Sequence, residues 1–339
     1  MDNNLRLVAL DLVRLFAAFS VVMYHYITDE TLFPALSEIT KFGYLGVSLF
    51  FIISGYVIAL SASNRSALEF AISRFVRLYP AFWAGVLVTC IISSLLGSQH
   101  YSIKQVLANL TMLNDYLGVE NIDGVYWTLQ VELKFYACIF ILLITGLFRH
   151  LYWWLGLWLA LTALYLATGQ PFFMGIFINP HQSCFFIAGI AFYLIQKEGI
   201  NKFNLFFLLS SLVLSSVEGY KQASNFMIDV DFKDKIVAVG IIWSFYLLFF
   251  LLVTQKIKIA HRNIYLILGG LTYPLYLLHN VAGKTLIQFF SPIAPEQVNI
   301  FIVTVLMFFM AYLIHLGIEQ QLATPMKRTL LRLLNMKAN

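Results

Sequence analysis

Three ionisable residues share one stripe of an otherwise apolar segment near the start of the chain. Asp11, Arg14 and His25 lie within residues 7–26, a run long enough to cross a bilayer as one helix. The separation of Arg14 and His25 turns a helix by about 1100°, which leaves their side chains roughly 20° apart. Asp11 lies within about 60° of Arg14 on the same stripe. Because ionisable groups inside a span cost about 2.5–3.5 kcal/mol each, we expect this stripe to face protein or a water-filled cavity.

The stripe predicts an Asp11–Arg14 pair and, about 16 Å along the helix, a base at His25. A neutral imidazole beside a cavity is the natural general base near pH 7. A satisfied packing histidine is the alternative. Glu132 and His279 fall at a similar predicted depth in later spans. Glu132 is predicted to orient a histidine or contact a hydroxylated substrate, although a structural hydrogen bond would also account for it.

Two arginines and a tryptophan complete the candidate set. Arg74 and Arg77 are three residues apart and therefore share a helix face. Guanidinium groups match phosphate geometry, so this face is a candidate site for a phosphorylated ligand. The alternative is the excess of basic residues that cytoplasmic loops carry. Trp127 is either an interface aromatic or a wall on which a sugar ring stacks.

Composition places these residues in a membrane protein. Hydrophobic residues make up 60% of the chain and charged residues only 12%, against about 25% charged in soluble domains. The mean hydropathy is +0.80. We therefore predict an all-α polytopic membrane bundle, since backbone groups in lipid must be satisfied within each segment. The net charge of +5 follows the basic loops and does not indicate a nucleic-acid partner.

About ten spans are predicted from the apolar runs. They cover residues 5–27, 43–62, 79–97, 126–148, 151–168, 182–196, 203–217, 235–254, 262–283 and 299–318. With the N-terminus inside, most Lys and Arg residues of the loops lie in the cytoplasm, and an even number of spans puts both termini there. We expect the first span to be retained, since its run is too long for a signal peptide and no small-residue cleavage site follows it.

No linker or internal repeat divides the sequence, so residues 1–339 are predicted to form a single transmembrane domain. Its tail, at about 320–339, is basic and amphipathic, and is expected to rest on anionic membrane lipids. No His, Asp or Glu cluster has metal-ligand spacing, so no metal site is predicted.

Five segments together resemble the membrane-bound acyltransferase family 3, the integral-membrane O-acyltransferases of bacterial surface polysaccharides. The opening span resembles the family's first, with Arg14, ten intervening positions and His25. The remaining matches are GYLGVSLFFIISGYVIALS, SRFVRLYPAFW, IDGVYWTLQVELKFY and TYPLYLLH. Thr128 stands where Ser is common, and Lys134 where an uncharged residue is usual.

The resemblance implies transfer of an acyl group, usually acetyl, from cytoplasmic acetyl-CoA to a carbohydrate hydroxyl. It implies about ten spans in the bacterial cytoplasmic (inner) membrane and acyl-CoA as a donor substrate rather than a bound cofactor. No extension follows the tenth predicted span, so the second transferase domain of some members is expected to be absent. The acceptor would be a surface polysaccharide or lipid-linked glycan.

This family function and the residues together assign roles to the candidate site. Arg74 and Arg77 would receive the polyanionic end of CoA, and Arg14, neutralised by Asp11, would line its path. His25 would be the base, supported by Glu132. A polytopic transporter or flippase is the competing prediction, because it too has polar residues at mid-membrane.

Overall fold

The computed structural model describes residues 3–27, 32–170, 173–257 and 263–334, and contains no strand within those ranges. All its regular elements are helical, as the composition predicts. The α-helices are α1 (Asn3–Tyr26), α2 (Pro34–Thr40), α3 (Gly46–Ala62), α4 (Ala67–Leu96), α5 (Ile103–Leu110), α6 (Trp127–Ile144), α7 (Leu151–Thr168), α8 (Met174–Phe177), α9 (Pro180–Glu198), α10 (Lys202–Phe226), α11 (Phe232–Val253), α12 (Asn263–Leu278), α13 (Val281–Phe290), α14 (Glu296–Ile314) and α15 (Gln320–Leu333).

Eight helical segments of the described chain are long and apolar enough to cross a membrane, so the protein is a multi-pass membrane protein. The bent pair Ile264–Leu278 and Val281–Phe290 makes a ninth if it is counted as one span. Each of the ten predicted spans falls on a helix. The tenth, predicted at 182–196, falls on α9, which is not among the nine candidate membrane-crossing segments. The predicted span 79–97 falls on the later part of α4, which begins at Ala67, where Ser66 and Glu69 form a capping box.

The centre of the bundle is α9, which packs most extensively against α3. Every residue from Ser183 to Ile195 is buried. Two glycines allow the close approach: a Cβ on Gly189 would lie 2.1 Å from the Ile52 carbonyl oxygen, and one on Gly55 would lie 2.2 Å from that of Phe186. Small residues at the crossing are how membrane helices gain packing contact. The helices α3 and α9 are therefore packed in direct backbone contact at the centre of the bundle.

The predicted span 262–283 is broken in the structure, and residue 262 itself lies outside the described residues. The helix continues through Pro274, and the chain bends by 73° between α12 and α13, around His279 and Asn280. This bend matters because it turns His279 and the start of α13 towards the end of α1.

The amphipathic tail is helical over α15, and residues 335–339 lie outside the described residues. Its Leu331 is buried against Ile72 and Val76 of α4. Part of the apolar face that was predicted to rest on lipid therefore packs on protein. A π-helical turn, His315–Glu319, joins α14 to α15 and directs the tail beneath α4.

Candidate active site

His25 lies at the end of α1 and lines a cavity of about 320 Å³, which we call the histidine cavity. The cavity brings together residues from α1, α3, α6, α9, α10, α12 and α13. Its polar and aromatic lining residues include Tyr24, His25, Ser48, Trp127, Gln182, Gln222, Tyr276, Asn280 and Lys284. Trp127, a predicted substrate residue, therefore lies in the same cavity as His25.

Two basic side chains lie against His25. The Lys284 Nζ is 3.4 Å from the His25 Nδ1, and the His279 ring centroid is 5.2 Å from that of His25. His279 is buried, and its Nδ1 is 2.8 Å from the Tyr276 carbonyl oxygen. Because a carbonyl only accepts, that nitrogen carries a proton, and in the neutral imidazole this leaves the His279 Nε2 bare. This Nε2 has no hydrogen-bond partner among the described residues.

Asp123 fixes the break that positions His279 and Lys284. Its carboxylate accepts hydrogen bonds from the Asn280 Nδ2 at 2.7 Å and the Val281 N–H at 2.8 Å, at the start of α13. A third comes from the Val125 N–H at 3.1 Å. Burial raises the pKa of this loop carboxyl, and the hydrogen bonds oppose the rise. A carboxylate at a helix N-terminus is favourable, so Asp123 anchors α13 beside α1.

A second cavity, of about 140 Å³, contains the predicted arginines, and we call it the arginine cavity. Its charged lining residues are Arg14, Arg74, Arg77 and Glu132. Arg14 Nη1 pairs with Asp11 Oδ1 at 3.2 Å, as the spacing on α1 predicts. Arg77 Nη1 pairs with Glu319 Oε1 at the same distance, 3.2 Å. The buried Arg74 Nε has no hydrogen-bond partner among the described residues.

Glu132 lies in the arginine cavity rather than beside a histidine. Its Oε1 accepts hydrogen bonds from the Ser54 Oγ and the Tyr136 Oη, each at 2.5 Å. The predicted contact between Glu132 and an imidazole was therefore wrong. The physical reason is depth: Trp127 is level with His25, and Glu132 lies five residues further along α6, about 7.5 Å away.

A third cavity, of about 800 Å³, opens beside α15, and we call it the tail cavity. Lys327 and Arg328 from α15 line it, together with His315 and Glu319. The His315 Nδ1 is 2.6 Å from the Glu319 Oε2, whose carboxylate also holds Arg77. The His315 imidazole is therefore held by a hydrogen bond within the π-helical turn.

The three cavities follow one another through the bundle. Arg14, Arg74 and Arg77 line both the tail cavity and the arginine cavity. Val47, Phe51 and Tyr276 line both the arginine cavity and the histidine cavity. At that second boundary, the Tyr276 and Thr128 hydroxyls are 2.9 Å apart. The arginine cavity therefore lies between the basic tail cavity and the histidine cavity, and it shares lining residues with each of them.

Sequence reasoning missed three residues of this arrangement: Lys284, Asp123 and Glu319. Lys284 is one turn from Asn280 and was predicted to lie in a loop, because the break in the span was not foreseen. Asp123 stands before a glycine, which is a turn signal that marks a candidate capping residue. Glu319 is far from Arg77 in the chain, and no sequence signal joins them.

Comparison with known proteins identifies relatives of this chain. A family model described as an acyltransferase domain matches residues 7–316. The chain is 24% identical over 274 residues to the putative acetyltransferase ORF330 of Acidianus two-tailed virus, covering 79% of this chain and 80% of that protein.

Two bacterial proteins match over shorter stretches. Nodulation protein 10 of Rhizobium leguminosarum bv. viciae is 30% identical over 158 residues, and acyltransferase MdmB of Streptomyces mycarofaciens is 30% identical over 145 residues. Each match covers 39% of this chain; the matches cover 43% of the Rhizobium protein and 38% of the Streptomyces protein. No solved structure matches the chain significantly.

Proposed function

The chain belongs to the acyltransferase family. On this premise we propose that it moves an acyl group from cytoplasmic acyl-CoA to a hydroxyl group of a carbohydrate, with His25 as the general base. Acetyl is the proposed acyl group, and a cell-surface polysaccharide or lipid-linked glycan is the proposed acceptor. The observation that carries this proposal is the row of three adjacent cavities between the arginines and His25, each of which shares lining residues with the next.

The donor enters at the tail cavity. The phosphates of CoA are polyanionic, and the cationic side chains of Arg74, Arg77, Lys327 and Arg328 all line the tail cavity. Arg74 supports this role further, because its buried Nε lacks a partner among the described residues. The chain binds the donor as a substrate and needs no permanently held cofactor for this transfer.

The orientation follows from the basic loops. We place the N-terminus, the tail and the arginines in the cytoplasm of a bacterial cell, with ten spans crossing its cytoplasmic membrane. The histidine cavity then faces the outer side. The pantetheine arm extends from the arginines through the arginine cavity, and Arg14, which pairs with Asp11, lines its path. The thioester reaches the boundary at Phe51 and Tyr276.

The chemistry takes place in the histidine cavity. His25 takes the proton of the acceptor hydroxyl at Nε2, and the oxygen attacks the thioester carbonyl carbon. The carbon–sulfur bond breaks, the thiolate leaves, and it takes up the proton from His25. A thiol has a pKa of about 8–9, so it leaves readily. The acylated sugar and free CoA are the products.

The acceptor lies against the aromatic and polar lining of the same cavity. Trp127 offers a face on which a sugar ring stacks, while Gln182, Gln222 and Asn280 offer amide groups for its hydroxyls. His279, packed behind His25, supports the imidazole from the side away from the acceptor. This mixture of one aromatic wall and several amides suits a carbohydrate better than an apolar acceptor.

Acyl transfer from radiolabelled acetyl-CoA tests the proposal. Membranes carry the wild type, His25→Ala or the exposed control His100→Ala at matched expression, in a host that makes its own surface glycans. We expect label in the glycan fraction with the wild type and His100→Ala, and at least a roughly 100-fold loss with His25→Ala. Equal label with all three would remove His25 from the reaction. Glycan flux across the membrane without acylated product would instead support a transporter.

A further inference from the structure

We propose that Lys284, as an uncharged amine, accepts the Nδ1 proton of His25 and so fixes the tautomer in which Nε2 is bare. Lys284 is then a positioning residue: it orients the base and does not touch the reacting atoms. This inference rests on the proposed function, in which His25 is the base. It assigns to Lys284 the supporting role that the sequence had predicted for Glu132.

The geometry leaves two arrangements for the pair. The Lys284 Nζ and the His25 Nδ1 are 3.4 Å apart, so one of the two nitrogens donates and the other accepts. An ammonium has no lone pair and can only donate, which would make Nδ1 bare and put the ring proton on Nε2. A neutral amine can accept, which keeps the proton on Nδ1 and leaves Nε2 bare. Only the second arrangement allows Nε2 to take a proton from the acceptor hydroxyl.

The surroundings of Lys284 favour the second arrangement. Lys284 is half-buried, and in the part of the chain that the structure describes no carboxylate lies within 4 Å of its Nζ. Asp123 is an acid near this helix, but its oxygens already accept three hydrogen bonds from Val125, Asn280 and Val281. An ammonium without a carboxylate in direct contact is costly to bury, and Asp123 acts on Lys284 only from beyond ion-pair distance.

The other basic neighbour cannot fill this role. The Nδ1–H of His279 is committed to the Tyr276 carbonyl oxygen, and its Nε2 has no partner in the described structure. Lys284 is therefore the described side chain that contacts the His25 Nδ1. During transfer the proton moves from the acceptor hydroxyl to the His25 Nε2 and on to the CoA sulfur, so Lys284 neither gains nor loses a proton.

The inference is tested by two substitutions of Lys284, one that can accept a hydrogen bond from the His25 Nδ1 and one that can only donate. Lys284→Gln places an amide oxygen that can accept the Nδ1 proton, whereas Lys284→Arg places a guanidinium that can only donate. We expect Lys284→Gln to keep kcat within about threefold of the wild type and Lys284→Arg to lower kcat about 100-fold, with KM for acetyl-CoA unchanged in both. Lys104→Gln, at an exposed lysine of α5, is the matched control. Size-exclusion profiles of the detergent-extracted variants check folding.

Two kinetic results would overturn the inference: full activity in a folded Lys284→Arg, or a loss in Lys284→Gln as large as that in Lys284→Arg. The tautomer itself is read from solid-state NMR of the full chain with ¹⁵N-labelled histidine, using His25→Ala to assign the His25 signals. We expect a protonated Nδ1 and a bare Nε2 without any substrate. A protonated Nε2 or an imidazolium at pH 7 overturns the inference whether or not the protein transfers acetyl, so its failure is distinguishable from that of the proposed function.

Discussion

At the scale of single residues, two of the arginines that line the cavities, Arg14 and Arg77, each form an ion pair. Asp11 pairs with Arg14 within α1, whereas Glu319 reaches Arg77 from the π-helical turn. Asp11 and Arg14 are partly buried, and the Arg77 side chain is 44% exposed beside a buried Glu319, so solvent screens both pairs in part. The local pair could be predicted from helical spacing. The distant pair could not, because no periodicity relates α4 to the turn before α15.

Arg77→Gln is predicted to weaken donor binding without changing the chemical step. The loss of a charge-assisted hydrogen bond to a phosphate corresponds to about 1.5–3 kcal/mol, so KM for acetyl-CoA should rise roughly tenfold or more. The distance between Arg14 and His25 along α1, about 16 Å, separates the arginines from the reacting atoms, so kcat should stay near the wild-type value. Steady-state kinetics in detergent measures both parameters.

The control for this variant is Arg149→Gln, because Arg149 is exposed, contacts His150 and lines none of the three cavities described above. A KM that rises equally in both variants would show that the effect is one of general surface charge. An unchanged KM in Arg77→Gln would remove Arg77 from the donor site.

Glu132→Gln is predicted to behave differently from His25→Ala. A glutamine oxygen can still accept from the Ser54 and Tyr136 hydroxyls, so the local hydrogen bonds persist. We expect transfer to remain within about 30-fold of the wild type, since a neutral hydrogen bond is weaker than a charged one by only about 1–2 kcal/mol. The radiolabel assay measures this. A loss as large as that of His25→Ala would place Glu132 in the chemical step.

At the scale of elements, the break between α12 and α13 decides the site. The sequence predicts one continuous span there, which would carry Lys284 into the loop beyond it. Asp123 instead holds the start of α13 across from α1, and so His279 and Lys284 both reach His25. Asp123 is distant in the chain from Asn280 and Val281, so no local sequence pattern indicates that they are in contact. Helix existence could therefore be predicted from apolar runs, whereas this bend could not.

The α3–α9 crossing provides a prediction about stability. In Gly189→Ala the new Cβ would lie 2.1 Å from a backbone oxygen of α3, so the two helices must separate. We expect a lower melting temperature of the detergent-extracted protein, by several degrees, because over-packing costs about 1–3 kcal/mol. Thermal size-exclusion assays measure the shift.

Gly240→Ala is the matched control, since Gly240 lies within α11 and a Cβ added there would have no neighbouring atom within 4 Å. Alanine favours the helix there by roughly 0.5–1 kcal/mol, so its melting temperature should stay equal or rise. Equal effects of the two substitutions would contradict the close crossing.

At the scale of the whole molecule, the cavities connect two ends of the helix bundle. The basic entrance is formed by α1, α4 and α15, and the histidine cavity lies at the opposite end of α1. The stripe of Asp11, Arg14 and His25 was predictable because one helix carries all three. The cavities between its ends were not, because their walls come from helices distributed along the chain. The proposed route for a thioester rests on this row of adjacent cavities.

Sidedness of the donor tests this route most directly. Sealed vesicles carrying the wild type and its glycan acceptor are prepared inverted and right-side-out, and radiolabelled acetyl-CoA is added outside. Orientation is verified by thiol labelling of Arg149→Cys and Lys104→Cys, which lie on opposite predicted sides. We expect labelled glycan only where the donor meets the face that bears Arg74 and Arg77, and labelled glycan from donor added to the His25 face of intact vesicles would contradict the route.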